Sequence, residues 1–546
     1  MKKLVCLLLM ITMLAPVCLA ESDWEEIKVY PLSESGEAIV DDVDFSHAQR
    51  VSDNSRVFYE IFVGSFSDSN GDGVGDLRGI INRMDYLNDG NPESGLSLGV
   101  EGIWLTPVFS SPSYHKYDVT DFYTIDPSFG TLEDLKELIA VCHARNVKVI
   151  LDLPINHTGS NHRWFKNFLN AHLMHNPYND YYNFYVWREE GDTLPAGRRF
   201  VRARQSGVLY EANFSDDMPE PDFDQPFVRQ KLLDVALYYL DAGVDGFRFD
   251  AAKYIYYGDN PSSVAFWQWY IGELKKVKSD VYTVAEVWDG ESVMDQYVPA
   301  TNCFNFTTSQ ADGLYAETAK AGNVNRLTAY TQKYLDHLHT LNPEAMNIPF
   351  IANHDTDRAA GYLTVASGQM KAAANLYLLT PGSPFIYYGE EIGLRGSRGG
   401  ASTDANRRLA MLWGDGDTVR DPVGATYDPA KQTPSSAADQ LPVTGSLYTY
   451  YKRLLMIRAA NPEIARGEYT ALDFGDTKMG GFSCVWQGSA VTVVHNTTTR
   501  KMTVDLTRIP GAVYGALSAA VGVGSASLEN GVLTLEGQTS AVIRAE

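Results

Sequence analysis

The residues best suited to chemistry in this chain lie in one stretch, Gly243–Tyr254, which reads GVDGFRFDAAKY. A β-rich run from Gly246 to Phe249 contains Arg248 and leads straight into Asp250. Side chains alternate faces along a strand, so an Arg two residues before an Asp points to the same side. A guanidinium that close favours the charged form of the carboxyl. Such an aspartate is prepared to act as a nucleophile at neutral pH. The same pair could also be a structural ion pair at a strand end, and other stretches must decide.

A second chemical stretch follows the apolar run VFYEIFVGSF (57–66) and reads SDSNGDGVGDLRGI. Asp68, Asn70, Asp72 and Asp76 place oxygen donors at loop positions 1, 3, 5 and 9, and the Val74 carbonyl falls at position 7. A hard cation such as Ca2+ wants that spacing. An EF-hand would also need Glu at position 12, where this chain has Gly79, so the loop is EF-like without being an EF-hand. Four acidic or amide groups would repel phosphate, which disfavours an anion site at the glycines.

These residues need a scaffold. Apolar, β-branched runs at 57–66, 102–109, 147–157, 246–251, 281–287, about 303–306, 347–352 and 384–389 predict strands. Helical spacing between them, as at Ile80–Leu87 and Thr131–Asn146, predicts crossover helices. Steady alternation of this kind implies parallel strands, and eight units predict an α/β fold, a (β/α)8 TIM barrel carrying insertions. The segment 158–215 lacks the rhythm and reads as a domain inserted after strand three. After a helix at 445–459, short alternating runs predict a C-terminal antiparallel β-sandwich domain over 461–546. The barrel is assigned 51–157 and 216–460.

In such a barrel the C-terminal strand ends carry the chemistry. Asp152 and Asn156-His157 fall at the end of strand three, Arg248 and Asp250 at strand four, Glu286 at strand five, and Asn353-His354-Asp355 at strand seven. Polar groups ending different strands would converge on one pocket.

The blocks DLPINH, GFRFDAAKY, AEVW and IANHD, in this order on these strands, resemble the four sequence blocks of the α-amylase family of glycoside hydrolases (family 13). The resemblance runs from about Val57 to the C-terminus and points to the family's intermediate group, between oligo-1,6-glucosidases and neopullulanases. It implies that Asp250 is the nucleophile, Glu286 the general acid/base and Asp355 the acid that steadies the transition state. Arg248 would hold Asp250 ionised, His157 and His354 would bond sugar hydroxyls, and Tyr117 in YHKYD would stack beneath the cleaved ring. Asp404 and Arg407 are candidates for the same subsite. The loop at Asp68 is similar to a calcium site of some members. The implied mechanism is double displacement with retention, for which carboxyl groups about 5–5.5 Å apart are expected.

Which bond is cut follows from smaller signals. Ala251-Ala252-Lys253-Tyr254 resembles the Ala-x-Lys-His of α-1,4-acting members, which places Lys253 among the substrate contacts with Tyr254 replacing His. Related α-1,6-glucosidases have Val at Ala251 and an Asp where this chain has Tyr114. Both differences favour an open cleft and α-1,4 chains: starch, maltodextrin or maltooligosaccharides. The segment MPEPDFD (218–224) departs from the family's MPDLN block at Glu220 and Pro221, which weakens the case for a second calcium ligand there. An exo-acting α-glucosidase or a maltogenic, transglycosylating enzyme stays open. A non-catalytic, membrane-anchored relative is disfavoured by the complete set of Asp250, Glu286 and Asp355.

Composition agrees. The 546 residues are 45% hydrophobic, which is ample for a large core. Residues 1–20 pattern as a secretory signal peptide, followed by a polar leader at 21–50. Loss of Lys2 and Lys3 with the signal would take the net charge from −23 to −25, which argues against nucleic acid. No later apolar run is long enough for a membrane anchor. The expected product is a secreted monomer, extracellular or periplasmic. Cys142, Cys303 and Cys484 are too scattered for a disulfide framework or a zinc site.

Overall fold

A computed structural model describes residues 43–366, 368–399, 403–522 and 524–545. The expected signal peptide at 1–20, and the leader as far as residue 42, lie outside the described residues. Among the described residues no helix is long and apolar enough to cross a membrane.

The barrel strands in chain order are Phe58–Ile61, Gly102–Leu105, Lys148–Leu153, Gly246–Phe249, Tyr282–Ala285, Asn302–Cys303 and Phe385–Tyr387, each parallel to its neighbour. The seventh position is not a regular strand. Ile348 bridges in parallel to Phe304 and Phe350 to Phe385, and these two bridges close the ring of eight. The family fold expected from the sequence is therefore present, with shorter strands than the apolar runs suggested.

Strand pleating explains both the floor and the site. Phe58, Trp104, Ile150, Tyr282, Val284, Phe350 and Phe385 point inward and pack as one cluster. Two residues further along the same inward faces come Glu60 after Phe58, Asp152 after Ile150 and Glu286 after Val284. Arg248 is in register with Asp152 on one side and Val284 on the other. Each strand thus buries an apolar side chain below and presents a polar one above. Close packing leaves Gly246 no alternative, because a Cβ there would lie 2.0 Å from the Tyr282 carbonyl oxygen.

Outer faces of the strands pack against the helices. The helix expected at 131–146 runs Leu132–Ala144, and Thr131 and Asp134 form a reciprocal capping box. The helix expected near Ile80–Leu87 is two short pieces, Leu77–Asn82 and Met84–Leu87. A hairpin between Phe109–Ser110 and Asp121–Ile125 had no expected counterpart. The inserted segment holds the helix Arg163–Leu173 and a three-stranded sheet of Trp187–Arg188, Leu209–Glu211 and Phe200–Arg202. The C-terminal domain pairs a five-stranded with a three-stranded antiparallel sheet. Val494, Ala541 and Ile543 fill the space between those sheets, while Val493 and Val542 on the opposite face join the barrel core.

The helix Leu447–Ala460 links the two domains, and a buried acid ties it to the barrel. Glu390, just after the last strand, accepts hydrogen bonds from Tyr377 (2.6 Å) and from Tyr451 (2.8 Å) on that helix. Burial pushes its carboxyl from 4.5 up to about 8, against the two tyrosine bonds. The unfolded chain would therefore release this proton first, so stability should decline as pH climbs from about 4.5 to 8. Glu390→Gln should flatten that decline, which is worth on the order of a few kcal/mol. Thermal melts of both proteins between pH 5 and 8 check this, and parallel curves would refute it.

Candidate active site

Arg248 is the centre of the strand ends. Its Nη1 donates to Asp152 at 2.8 and 3.0 Å and to Asp250 Oδ1 at 2.6 Å, and Nη2 lies 3.0 Å from Glu286 Oε2. The guanidinium is buried, with its carbon 5.2 Å from the centre of the Trp104 ring below. One cation from strand four therefore gathers carboxyls from strands three, four and five.

The chain turns sharply after Asp250. Ala251 takes φ 45° and ψ 43°, a left-handed conformation unusual for a residue with a side chain, and leads into the 3-10 turn Ala252–Tyr254. Three bonds hold the turn against strand five. Ala251 N–H donates to Glu286 Oε2 at 2.9 Å, Ala252 N–H to the Glu286 carbonyl at 3.0 Å, and Glu286 N–H to the Phe249 carbonyl at 2.9 Å. All contacts to the two acids fall on Asp250 Oδ1 and Glu286 Oε2. Among the described residues, Asp250 Oδ2 and Glu286 Oε1 have no protein partner, and both residues line a cleft of about 740 Å³.

Burial pushes Glu286 upward, and although Arg248 opposes this the carboxyl settles near 7. A carboxyl that carries a proton around neutrality thus sits across one guanidinium from Asp250.

Asp355 is held differently. His354 Nε2 lies 2.9 Å from its Oδ2, and Arg408 donates to its Oδ1 at 2.6 Å. Burial would raise Asp355, but His354, Arg408 and Arg248 together hold it well below the usual carboxylate range. His157 accepts from the Asn156 amide at Nδ1 (2.8 Å) and donates from Nε2 to the Tyr117 carbonyl (3.1 Å), and burial keeps the ring neutral. Tyr117 stacks on His354 with rings 5.7 Å apart and donates its hydroxyl proton to Asp152 at 2.9 Å.

Lys253 reaches the cleft from the 3-10 turn, and its Nζ donates to the Trp288 carbonyl and to Asp289, each at 2.9 Å. The structure thus brings Tyr117, His157, Asp250, Lys253, Glu286 and Asp355 onto one cleft, with Arg248 and His354 behind them. Asp404 joins them. Arg407 does not line the cleft but sits behind it, bonding Asp404 Oδ1 at 3.0 Å and the Asp355 carbonyl at 2.7 Å as well as Asp357, and its neighbour Arg408 faces the site. His354, expected to bond a sugar hydroxyl, is instead fully buried with both ring nitrogens facing protein groups.

Sequence reasoning missed Arg408, Phe214, Trp288 and Glu60. Phe214 comes from the inserted domain and packs on the His157 ring (5.4 Å) and the Tyr254 ring (4.9 Å). No local pattern marks Arg408 or Phe214, and Trp288 closes the AEVW block, in which only the glutamate stands out. Glu60 did carry a signal, being a lone acid inside the buried strand FYEI.

The Asp68–Asp76 loop stands apart from this cleft. Asp68 accepts from the Asn70, Gly71 and Gly73 N–H groups and from the Thr418 hydroxyl. Asp72 accepts from Val74 N–H, and Asp76 caps the next helix through Gly79 N–H while also accepting from Ser69. Among the described residues no three His, Cys, Asp or Glu side chains converge at metal-binding spacing. A cation here would depend on the Asn70 and Val74 oxygens as well as on carboxylates. Those hard-oxygen donors suit calcium.

Comparison with known proteins points one way. The family model described as "Alpha amylase, catalytic domain" matches residues 60–467. Alpha-amylase 3 of Dictyoglomus thermophilum is 34% identical over 455 residues, 81% of this chain and 84% of that protein. A 4-alpha-glucanotransferase of Thermotoga neapolitana is 29% identical over 463 residues, 83% and 98% of the two chains. The solved structure of Eubacterium rectale Amy13B is similar over 91% of this chain and 97% of its own, with a TM-score of 0.82 and 31% identity.

Removing the central cation would leave Asp152, Asp250 and Glu286 facing one another without charge compensation. Arg248→Met should cost about 3–5 kcal/mol of stability, the usual penalty for stripping one partner from a buried ion cluster. Denaturant unfolding measures it, and a loss under about 1 kcal/mol would show that the cluster does not depend on Arg248.

Proposed function

Since the chain belongs to the α-amylase family of glycoside hydrolases, we propose that it cleaves α-1,4-glucosidic bonds of starch and maltodextrins with retention of configuration. One observation carries this reading: Asp250 and Glu286 share the Arg248 guanidinium, and each keeps one oxygen free at the cleft. Glu286 protonates the glycosidic oxygen while Asp250 Oδ2 attacks the anomeric carbon, and the leaving sugar departs with that proton. Water then attacks the glycosyl-enzyme, giving its proton to Glu286 and releasing Asp250. Asp355 stays charged between His354 and Arg408 and receives hydroxyls of the distorted ring. Tyr117 supplies the stacking face, and His157 borders the same subsite.

A second reading, transfer of the glycosyl group to a sugar acceptor, is favoured by the cleft wall beside Lys253. There Phe214 and Trp288 offer aromatic faces that suit a sugar and exclude water. Products from soluble starch and from maltotriose, followed over time, separate the readings. Mixed oligosaccharides appearing early from starch mean endo-hydrolysis. Glucose or maltose alone from the first minutes mean exo action. From maltotriose, products longer than the substrate mean transfer.

The roles themselves are exposed to test. Asp250→Asn should lower kcat by at least roughly 10³-fold with the fold intact, and near-normal turnover would sink the assignment. Because Glu286 must hold its proton and sits near 7, kcat/KM should fall above about pH 7.

We extend the proposal to calcium on the Asp68, Asn70, Asp72, Val74 and Asp76 loop, supported by its oxygen spacing and by Gly71 and Gly73 at positive φ, which permit the tight wrap. A bound ion stabilises the native state. A chelator should therefore lower Tm and added calcium restore it, whereas Asp72→Asn should blunt both effects; no change in Tm would count against the site.

A further inference from the structure

Glu60 has no place in the chemistry above, yet it is buried at the inward end of strand one, in register with Trp104. Its Oε1 lies 2.5 Å from His354 Nδ1 and 3.3 Å from the His354 backbone N–H. The other ring nitrogen, Nε2, has two oxygen neighbours, Asp355 Oδ2 at 2.9 Å and the Tyr117 hydroxyl at 2.7 Å. The remaining groups packed on this ring add no acceptor. The Trp104 ring meets it edge-on at 5.5 Å, and Arg408 spends its Nε on the His354 carbonyl.

A neutral imidazole leaves one of the two carboxylates without a donor. With the proton on Nδ1, bare Nε2 could take the Tyr117 hydroxyl proton at 2.7 Å. Its lone pair would still lie 2.9 Å from the Asp355 carboxylate, and Asp152 would lose that hydroxyl's donation. With the proton on Nε2, bare Nδ1 would face Glu60 at 2.5 Å. Only a ring protonated at both nitrogens donates to both acids. The Tyr117 hydroxyl then accepts from Nε2 and gives its own proton to Asp152.

We infer that Glu60 is a positioning residue that keeps His354 an imidazolium and so fixes Asp355 as a charged, oriented acid through the reaction cycle. The inference rests on the proposed role of Asp355. Burial by itself would lower the His354 pKa, but Asp355 and Glu60 outweigh it and push the ring to about 10. The carboxyl–imidazolium–carboxyl row spans strand one to strand seven, two positions adjacent to strand eight on the barrel wall. Its charge has nowhere to disperse, because Glu60 and His354 are both closed to solvent.

The experiment is nitrogen NMR of protein labelled with ¹⁵N-histidine, with His354→Gln to assign the signal. Wild-type His354 should show two protonated ring nitrogens from pH 6 to 9, and a neutral ring at pH 7 would overturn the inference without any variant. In Glu60→Gln, which keeps an acceptor but removes the charge, the ring should lose a proton within that range. kcat should fall about 10–100-fold with KM little changed. Glu60→Asp, which restores the charge, should recover at least part of the rate. A Glu60→Gln protein whose ring titration and kcat match wild type would also overturn it. Failure of the underlying reading looks different: Asp355→Asn would turn over normally although wild-type His354 keeps both ring protons.

Discussion

A single buried guanidinium organises the upper half of the barrel. Arg248 reaches Asp152, Asp250 and Glu286 from three adjacent strands, and none of these carboxyls could be buried so close together without it. It also divides their labour. By occupying one oxygen of Asp250 and one of Glu286 it leaves the other oxygen of each for substrate, while burial, which Arg248 opposes, keeps a proton on Glu286 near neutrality. The left-handed turn at Ala251 serves the same end, since its N–H anchors the occupied oxygen of Glu286.

Asp355 belongs to a second electrostatic unit built on the opposite side of the ring. Two cations, Arg408 and His354, face its two oxygens, so it enters the cleft charged and held in place. Tyr117 joins the units, with its ring on His354 and its hydroxyl on Asp152. The loop that presents it is itself fastened, because Asp118 accepts from the Ser111 and Ser113 hydroxyls and Lys116 pairs with Asp126 at 2.9 Å. Orientation at this site therefore comes from buried charge and hydrogen bonds more than from shape. Shape comes from elsewhere: Phe214 arrives from the inserted domain, Trp288 from the loop after strand five, and Arg408 from a 3-10 turn beyond strand eight. Those pieces lie far apart in the chain and decide what fits beside the chemistry.

Much of this was legible in the amino-acid sequence because strand geometry is local. Period-two alternation places Arg248 and Asp250 on one face, and the β/α rhythm puts Asp152, Glu286 and Asp355 at strand ends, so the fold and the acids could be named from pattern alone. The helix Leu132–Ala144 was likewise foretold by its own spacing and cap. Tertiary structure decided what depends on approach between distant segments. The seventh strand reduced to two bridges, because its neighbours rather than its own apolar run determine which groups pair. Arg408 rather than Arg407 faces Asp355, a one-residue choice made by the turn that carries them. Glu60 and His354 stand 294 residues apart, and only closure of the barrel brings that acid against that ring and so settles the charge it carries.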